Sequence, residues 1–145
     1  MNEENKEVNV LDELNKGACM GMDAIHFILD KVDDKDLKEE LNNQYEKYKT
    51  ISDKIANMYP KYSEKEPHET DAMNKFMTWC GVEMKTMFDT STSKIAELLL
   101  QGTNMGIIEG RKLLNHKDTD KEVHDLIQEY VDMQEDAVEK LKRFL

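Results

Sequence analysis

VNVLDELNKGACMGMDAIHFILDKV, residues 8–32, decides how the rest of the chain is read. Val8, Leu11, Ala18, Met22, Ile25, Leu29 and Val32 return at helical spacing, which stacks them along one side of an α-helix, and only Asn15 interrupts that seam. A strand would need apolar and polar residues to alternate, and no strand-length run in the chain does so. The spacing therefore predicts a helix from Val8 to Val32 and no sheet anywhere.

Working outward, the same periodicity continues to the last residue. Asp33 and Asp34 offer caps for a second helix carrying Leu37, Leu41, Tyr45, Tyr48, Ile51, Ile55 and Met58. Pro60 and Pro67 bracket the polar connection KYSEKEP, so this helix ends near Tyr59. A third helix is predicted from Glu69 to Phe88, with Met73, Phe76, Met77, Cys80, Met84 and Met87 on one side and Trp79 and Val82 widening the stripe. The run DTSTS supplies caps for a fourth helix ending near Asn115. Thr119 with Glu122 reads as a capping box that opens a fifth, which carries Val123, Leu126, Ile127, Tyr130, Ala137, Leu141 and Phe144. Long helices with short connections favour antiparallel neighbours. The expected fold is all-α: an antiparallel ferritin-like four-helix bundle of helices one, two, four and five, with helix three as an additional amphipathic element in the middle crossing. Its 145 residues fit a single domain spanning 1–145.

Composition narrows the partners. Charged residues make up 35% of the chain and apolar ones 39%, with six glycines and two prolines, a balance that excludes collagen-like and low-complexity classes. Thirty-one acidic against twenty basic residues leave a net charge of −11, which repels nucleic acid and anionic membranes. No stretch approaches the roughly 20 continuous apolar residues of a membrane span. The opening MNEENKEVNV lacks the basic region and apolar core of a secretory signal. Cys19 and Cys80 lie in helical patterns rather than in a CxxC pair, and are expected as buried thiols in a reducing compartment. A cytoplasmic protein is the expectation.

All six glycines fall inside predicted helices, where each costs about 1 kcal/mol relative to Ala, so something must offset that cost. Gly17 and Gly21 share one side of helix one; Gly102, Gly106 and Gly110 share one side of helix four. The expectation is that these bare strips meet backbone to backbone, and the alternative is that they leave room for a ligand.

Candidate chemistry is sparse. A di-iron bundle needs Glu-x-x-His pairs, and none occurs; the nearest approach, Asp23-Ala-Ile-His26, has Asp23 turned away from the seam. Asn15, Gln44, Glu109 and Gln134 are polar residues on core seams, with His116 one heptad after Glu109. At 100° per residue, Glu109 should point inward and need a partner such as His116, His26, Arg111 or Gln134. Such residues can fix helix register; alternatively Glu109, His116 and His26 could hold a transition metal ion. The methionines of helix three have ligand types suited to Cu(I), yet their spacing is that of any core-facing helix. Phe76, Trp79, Met84 and Met87 are expected to form an interface with a second copy or a protein partner. His68 lies in the polar connection and His124 beside Asp120. Cys19 and His26, seven residues apart, are about 10 Å distant along a helix, too far for nucleophile and base. Phosphate-loop, dinucleotide and HExxH motifs are missing, and no cofactor is predicted.

The segment Thr92-Ser93-Lys94-Ile95-Ala96-Glu97-Leu98-Leu99-Leu100-Gln101-Gly102-Thr103-Asn104-Met105-Gly106, together with Gly17-Ala18-Cys19-Met20-Gly21-Met22, resembles uncharacterised small ferritin-like four-helix-bundle proteins of anaerobic bacteria. The resemblance implies a ferritin-like bundle and a cytoplasmic bacterial setting, with no assigned activity. The positions of the ferritin ligands have no counterpart, so no site is carried over. The function expected is that of a non-enzymatic interaction or stress-associated bundle acting through oligomer or partner contacts. The alternative is a metal- or small-molecule-binding bundle with Glu109, His116 and His26 beside Gly102 and Gly106.

Overall fold

A computed structural model of the chain describes residues 6–65 and 89–145. Helix three, with its interface residues Phe76, Trp79, Met84 and Met87, lies outside the described residues, as do Cys80 and His68. The described chain holds four long helices and no strand: α1 (Lys6–Ile28), α2 (Lys35–Met58), α3 (Thr92–His116) and α4 (Lys121–Lys142). They correspond to predicted helices one, two, four and five.

Local chemistry accounts for most of their ends. α1 tightens into a 3₁₀ turn at Leu29–Lys31 before the chain turns extended at Val32. Asp34 then accepts the Leu37 N–H at 2.9 Å and opens α2, as the sequence predicts. Pro60 sits in the 3₁₀ turn Tyr59–Lys61 that closes it. Ser91 caps α3 by accepting the Lys94 N–H. The capping box predicted for the last helix is not formed. Its N-cap is Asp120, whose side chain makes no cap bond, while the Asp120 N–H donates to the Glu7 carboxylate of α1 at 3.3 Å. That contact brings a negative charge to the positive end of α4 from another helix. The Thr119 hydroxyl is buried without a partner.

The core runs along the inward faces. Leu11, Leu14 and Ile28 of α1, Leu37, Leu41, Ile51 and Ile55 of α2, Ile95 of α3, and Val123, Ile127 and Leu141 of α4 are shielded from water. Each such side chain contributes about 1.5–3 kcal/mol of burial free energy, an upper bound because the unfolded chain is not fully extended. α1 packs most extensively on α2, and α3 on α4. α2 and the turn that closes it also meet α4 along a row of ion pairs: Lys47–Asp136 at 3.2 Å, Lys54–Glu129 at 2.7 Å and Lys61–Glu122 at 2.9 Å. α1 and α3 touch much less, and the site lies between them.

Candidate functional site

The bare glycine strips do not close backbone on backbone. A Cβ at Gly17 would strike the Tyr130 hydroxyl, and one at Gly110 would fall 2.6 Å from Val131 Cγ2 and 3.4 Å from the Tyr130 ring. One turn further along, a Cβ at Gly21 would lie 2.6 to 2.7 Å from three atoms of the Tyr48 ring, and one at Gly106 would run into the Gln134 amide. Side chains rising from α2 and α4 therefore occupy the space that the glycines vacate. This is the physical offset for placing glycine inside helices: packing a tyrosine ring returns more than an alanine methyl would give.

Above these side chains, α1 and α3 stand apart around a cavity of about 480 Å³. Met20, Ala24 and Ile25 of α1 and Leu98, Leu99 and Leu113 of α3 form apolar walls, and Gly102 lies between the α3 leucines along the helix. Gln44 and Tyr48 from α2, Thr103 from α3, and Tyr130 and Gln134 from α4 form a polar floor. Gln134 donates through Nε2 to the Tyr48 hydroxyl at 3.3 Å, while its Oε1 is buried with no hydrogen-bond partner. The Thr103 hydroxyl donates to the Leu99 carbonyl at 2.8 Å, and Gln44 donates to Glu40 at 2.7 Å. Burial pushes the Tyr48 hydroxyl above its ordinary pKa, against a smaller opposing pull from its bonds to Gln134 and Thr103. Burial likewise raises Tyr130, with the neighbouring Tyr48 adding to the shift. The floor is uncharged at neutral pH.

Charge collects at the mouth. Glu13, Lys16, Glu109, Lys112, His116 and Lys117 border the cavity near the α3 C-terminus. Glu109 is placed differently from the sequence expectation: its side chain is 68% exposed and meets Lys112 at 3.6 Å. Its angular position on α3 is inward, but α1 does not close over α3 there, so solvent reaches the carboxylate. His116 and His26 are also exposed. His116 shares the cavity mouth with Glu109, whereas His26 is not among the lining residues, and Arg111 pairs with Glu135 of α4 at 2.8 Å. Among the described residues, no group of three or more His, Cys, Asp or Glu side chains is placed to hold a metal ion. Cys19 is half-buried rather than buried, with its thiol 3.9 Å from Asn15 Oδ1.

The sequence reading flagged Gln44, Gln134 and the glycines, but took Tyr48 and Tyr130 only as core residues and left Thr103 unnoticed. The signal was present: a tyrosine on a core seam must find room for its ring and a partner for its hydroxyl, and glycines at matching heights provide the room. No helix among the described residues is long and apolar enough to cross a membrane. No protein-family model matches the chain, and no curated protein or solved structure matches it either.

Proposed function

We propose that the chain is a non-enzymatic bundle that binds a small apolar molecule between α1 and α3. The observation that carries this reading is the cavity of about 480 Å³, apolar in its walls and polar in its floor. Its size and lining match ligand pockets in general, which hold roughly 300–1,000 Å³ and orient their ligand through a few polar groups. The four helices are proposed to form an antiparallel ferritin-like bundle. The ion-pair row supports antiparallel packing of α2 and α4, because residue numbers rise from Lys47 and Lys54 on α2 to Lys61 in the turn that closes it as those on α4 fall from Asp136 to Glu122.

The test is titration of the full chain with the neutral dye N-phenyl-1-naphthylamine, followed by its fluorescence. A saturable enhancement is expected, lost in Gly102→Leu, which grows a side chain into the cavity. Leu at that helical position is expected to hold or raise the melting temperature, since it relieves a glycine penalty of about 1 kcal/mol. A full chain that leaves the dye dark, or a Gly102→Leu variant that binds it as before, overturns the proposal.

A further inference from the structure

We infer that the occupant of the cavity is a single unbranched alkyl chain ending in a carboxylate, with the chain lying between α1 and α3 and the carboxylate at the lysines of the rim. The inference rests on the cavity reading above and adds the chemistry of what enters.

The shape of the space comes first. On α3 its lining runs from Leu98 to His116, about 27 Å along the helix axis. A volume of about 480 Å³ drawn out over that length is a slot and not a round chamber. Met20, Ala24, Ile25, Leu98, Leu99 and Met105 line it with aliphatic side chains, and the unbranched thioethers adapt to a chain that bends. The floor asks for no polar group from the ligand, because Thr103 donates to the Leu99 carbonyl, Gln44 to Glu40 and Gln134 to Tyr48.

Polarity changes along the slot. Gly17 and Gly110 both stand against Tyr130, and Gly21 and Gly106 stand against the bonded pair of Tyr48 and Gln134, so these contacts match heights on the two helices. At and beyond the Tyr130 level both helices bring charge to the lining, Glu13 and Lys16 from α1 and Glu109 and Lys112 from α3. In the other direction, from Met20 to Ile25 on α1 and from Met105 back to Leu98 on α3, no described lining residue is charged. An ion there would lose its hydration and gain no counter-charge, so the charged end of a ligand stays at the rim. From Leu98 to Glu109 α3 rises about 16 Å, the length of an extended chain of about twelve carbons.

The rim sets the sign of that charged end. Three lysines, Lys16, Lys112 and Lys117, and the His116 imidazole stand there against two glutamates, in a chain whose net charge is −11. Lys16 lies 2.6 Å from Glu13 and Lys112 lies 3.6 Å from Glu109, which leaves Lys117 without an ion pair among the described residues. A carboxylate supplies the missing negative charge, and the flexible lysine stems let the ammonium groups reach it.

Isothermal titration of the full chain at neutral pH, below micelle-forming concentrations, tests chain, shape and sign separately. Octanoate, decanoate and dodecanoate should bind in a saturable way and tighten by about fourfold per added methylene. Adamantane-1-carboxylate, which has the charge and similar carbon content in a compact cage, should bind at least tenfold more weakly than decanoate. Decyltrimethylammonium should also bind more weakly than decanoate, although the net charge of the protein favours the cation. Replacing the three rim lysines together, Lys16→Gln, Lys112→Gln and Lys117→Gln, should weaken decanoate about fivefold. These positions lie outside the core, so the melting temperature of the variant should match that of the parent chain. Affinity that does not rise with chain length, a cage that binds as well as decanoate, tighter binding of the cation, or an unchanged affinity in the lysine variant would each overturn this inference. If the alkanoates fail while N-phenyl-1-naphthylamine still binds, the cavity reading stands without it; if the dye fails as well, both fall.

Discussion

The face between α2 and α4 and the face between α1 and α3 solve the same packing problem in opposite ways. Along the first, long charged side chains repeat every seven residues and bridge the outside of a closed apolar seam, as in Lys47, Lys54 and Lys61 against Asp136, Glu129 and Glu122. Along the second, glycines repeat every four residues, and the room they leave is filled from below by Tyr48, Tyr130 and Gln134 and left vacant above. Side chains placed outside a seam add weak contacts to helices that the apolar seam already holds, whereas side chains removed from inside it let a third helix supply the contact and leave a chamber. The stability of the first face is therefore spread over many weak contacts, and that of the second rests on a few tight ones.

The largest expected effect follows from that difference. Gly21→Leu should cost about 2–3 kcal/mol in urea unfolding, because its Cβ collides with a buried, rigid Tyr48 ring. Helix propensity alone predicts a gain of about 1 kcal/mol, so the sign of the change separates the two effects. An unfolding midpoint at or above that of the parent chain would show that the Tyr48 ring is not wedged there.

A second expectation concerns pH. Tyr48 and Tyr130, in the glycine-lined face, are raised by burial, and Tyr59 is pushed up to about 12 by burial and by its bond to Asp12. In the unfolded chain tyrosines ionise near pH 10, as the native ones do not, so their contribution is complete below that pH and is lost as pH rises through and beyond it. Urea midpoints should fall steeply between about pH 10 and about pH 12, with phenolate absorbance appearing together with unfolding. On the ion-pair face the sign reverses. Glu122 is held low by Lys61 and Tyr62, and Asp136 by Lys140 and Lys47, so their contribution is present above the ordinary carboxylate pKa and is lost as pH falls through it. These groups are exposed, and the acid-side loss should be the shallower of the two. A steeper acid limb than alkaline limb would invert the contrast between the faces.

The smallest effect belongs to a single bridge. Lys54 and Glu129 are about half exposed, and a double-mutant cycle with Lys54→Met and Glu129→Gln should give a coupling near 0.5 kcal/mol or less, reduced further by added salt. A coupling above about 1.5 kcal/mol would mean that this row orders the bundle rather than decorating it.

Much of this architecture was legible in the sequence. Asp34, Ser91 and Pro60 mark helix boundaries through chemistry confined to a few residues, and such signals survive folding unchanged. Asn15, Gln44 and Gln134 were read as polar residues on core seams, and all three are buried. Glu109 was misread because helical periodicity gives the direction in which a side chain points and not whether another helix stands opposite. The Thr119 capping box failed for a related reason: its sequence pattern is local, but the charge that serves the α4 N-terminus comes from Glu7. The glycine strips were expected to meet backbone to backbone, and that failed because the space is filled by Tyr48, Tyr130 and Gln134 from other helices, which the strips alone do not show although both tyrosines stand on core seams.

The Glu7 contact has a consequence for assembly order. Donor and acceptor are 113 residues apart in the chain, so during synthesis the first helix gains this partner for its acid only after the chain has been made through Asp120. The contact that begins the last helix therefore also ties down the start of the first.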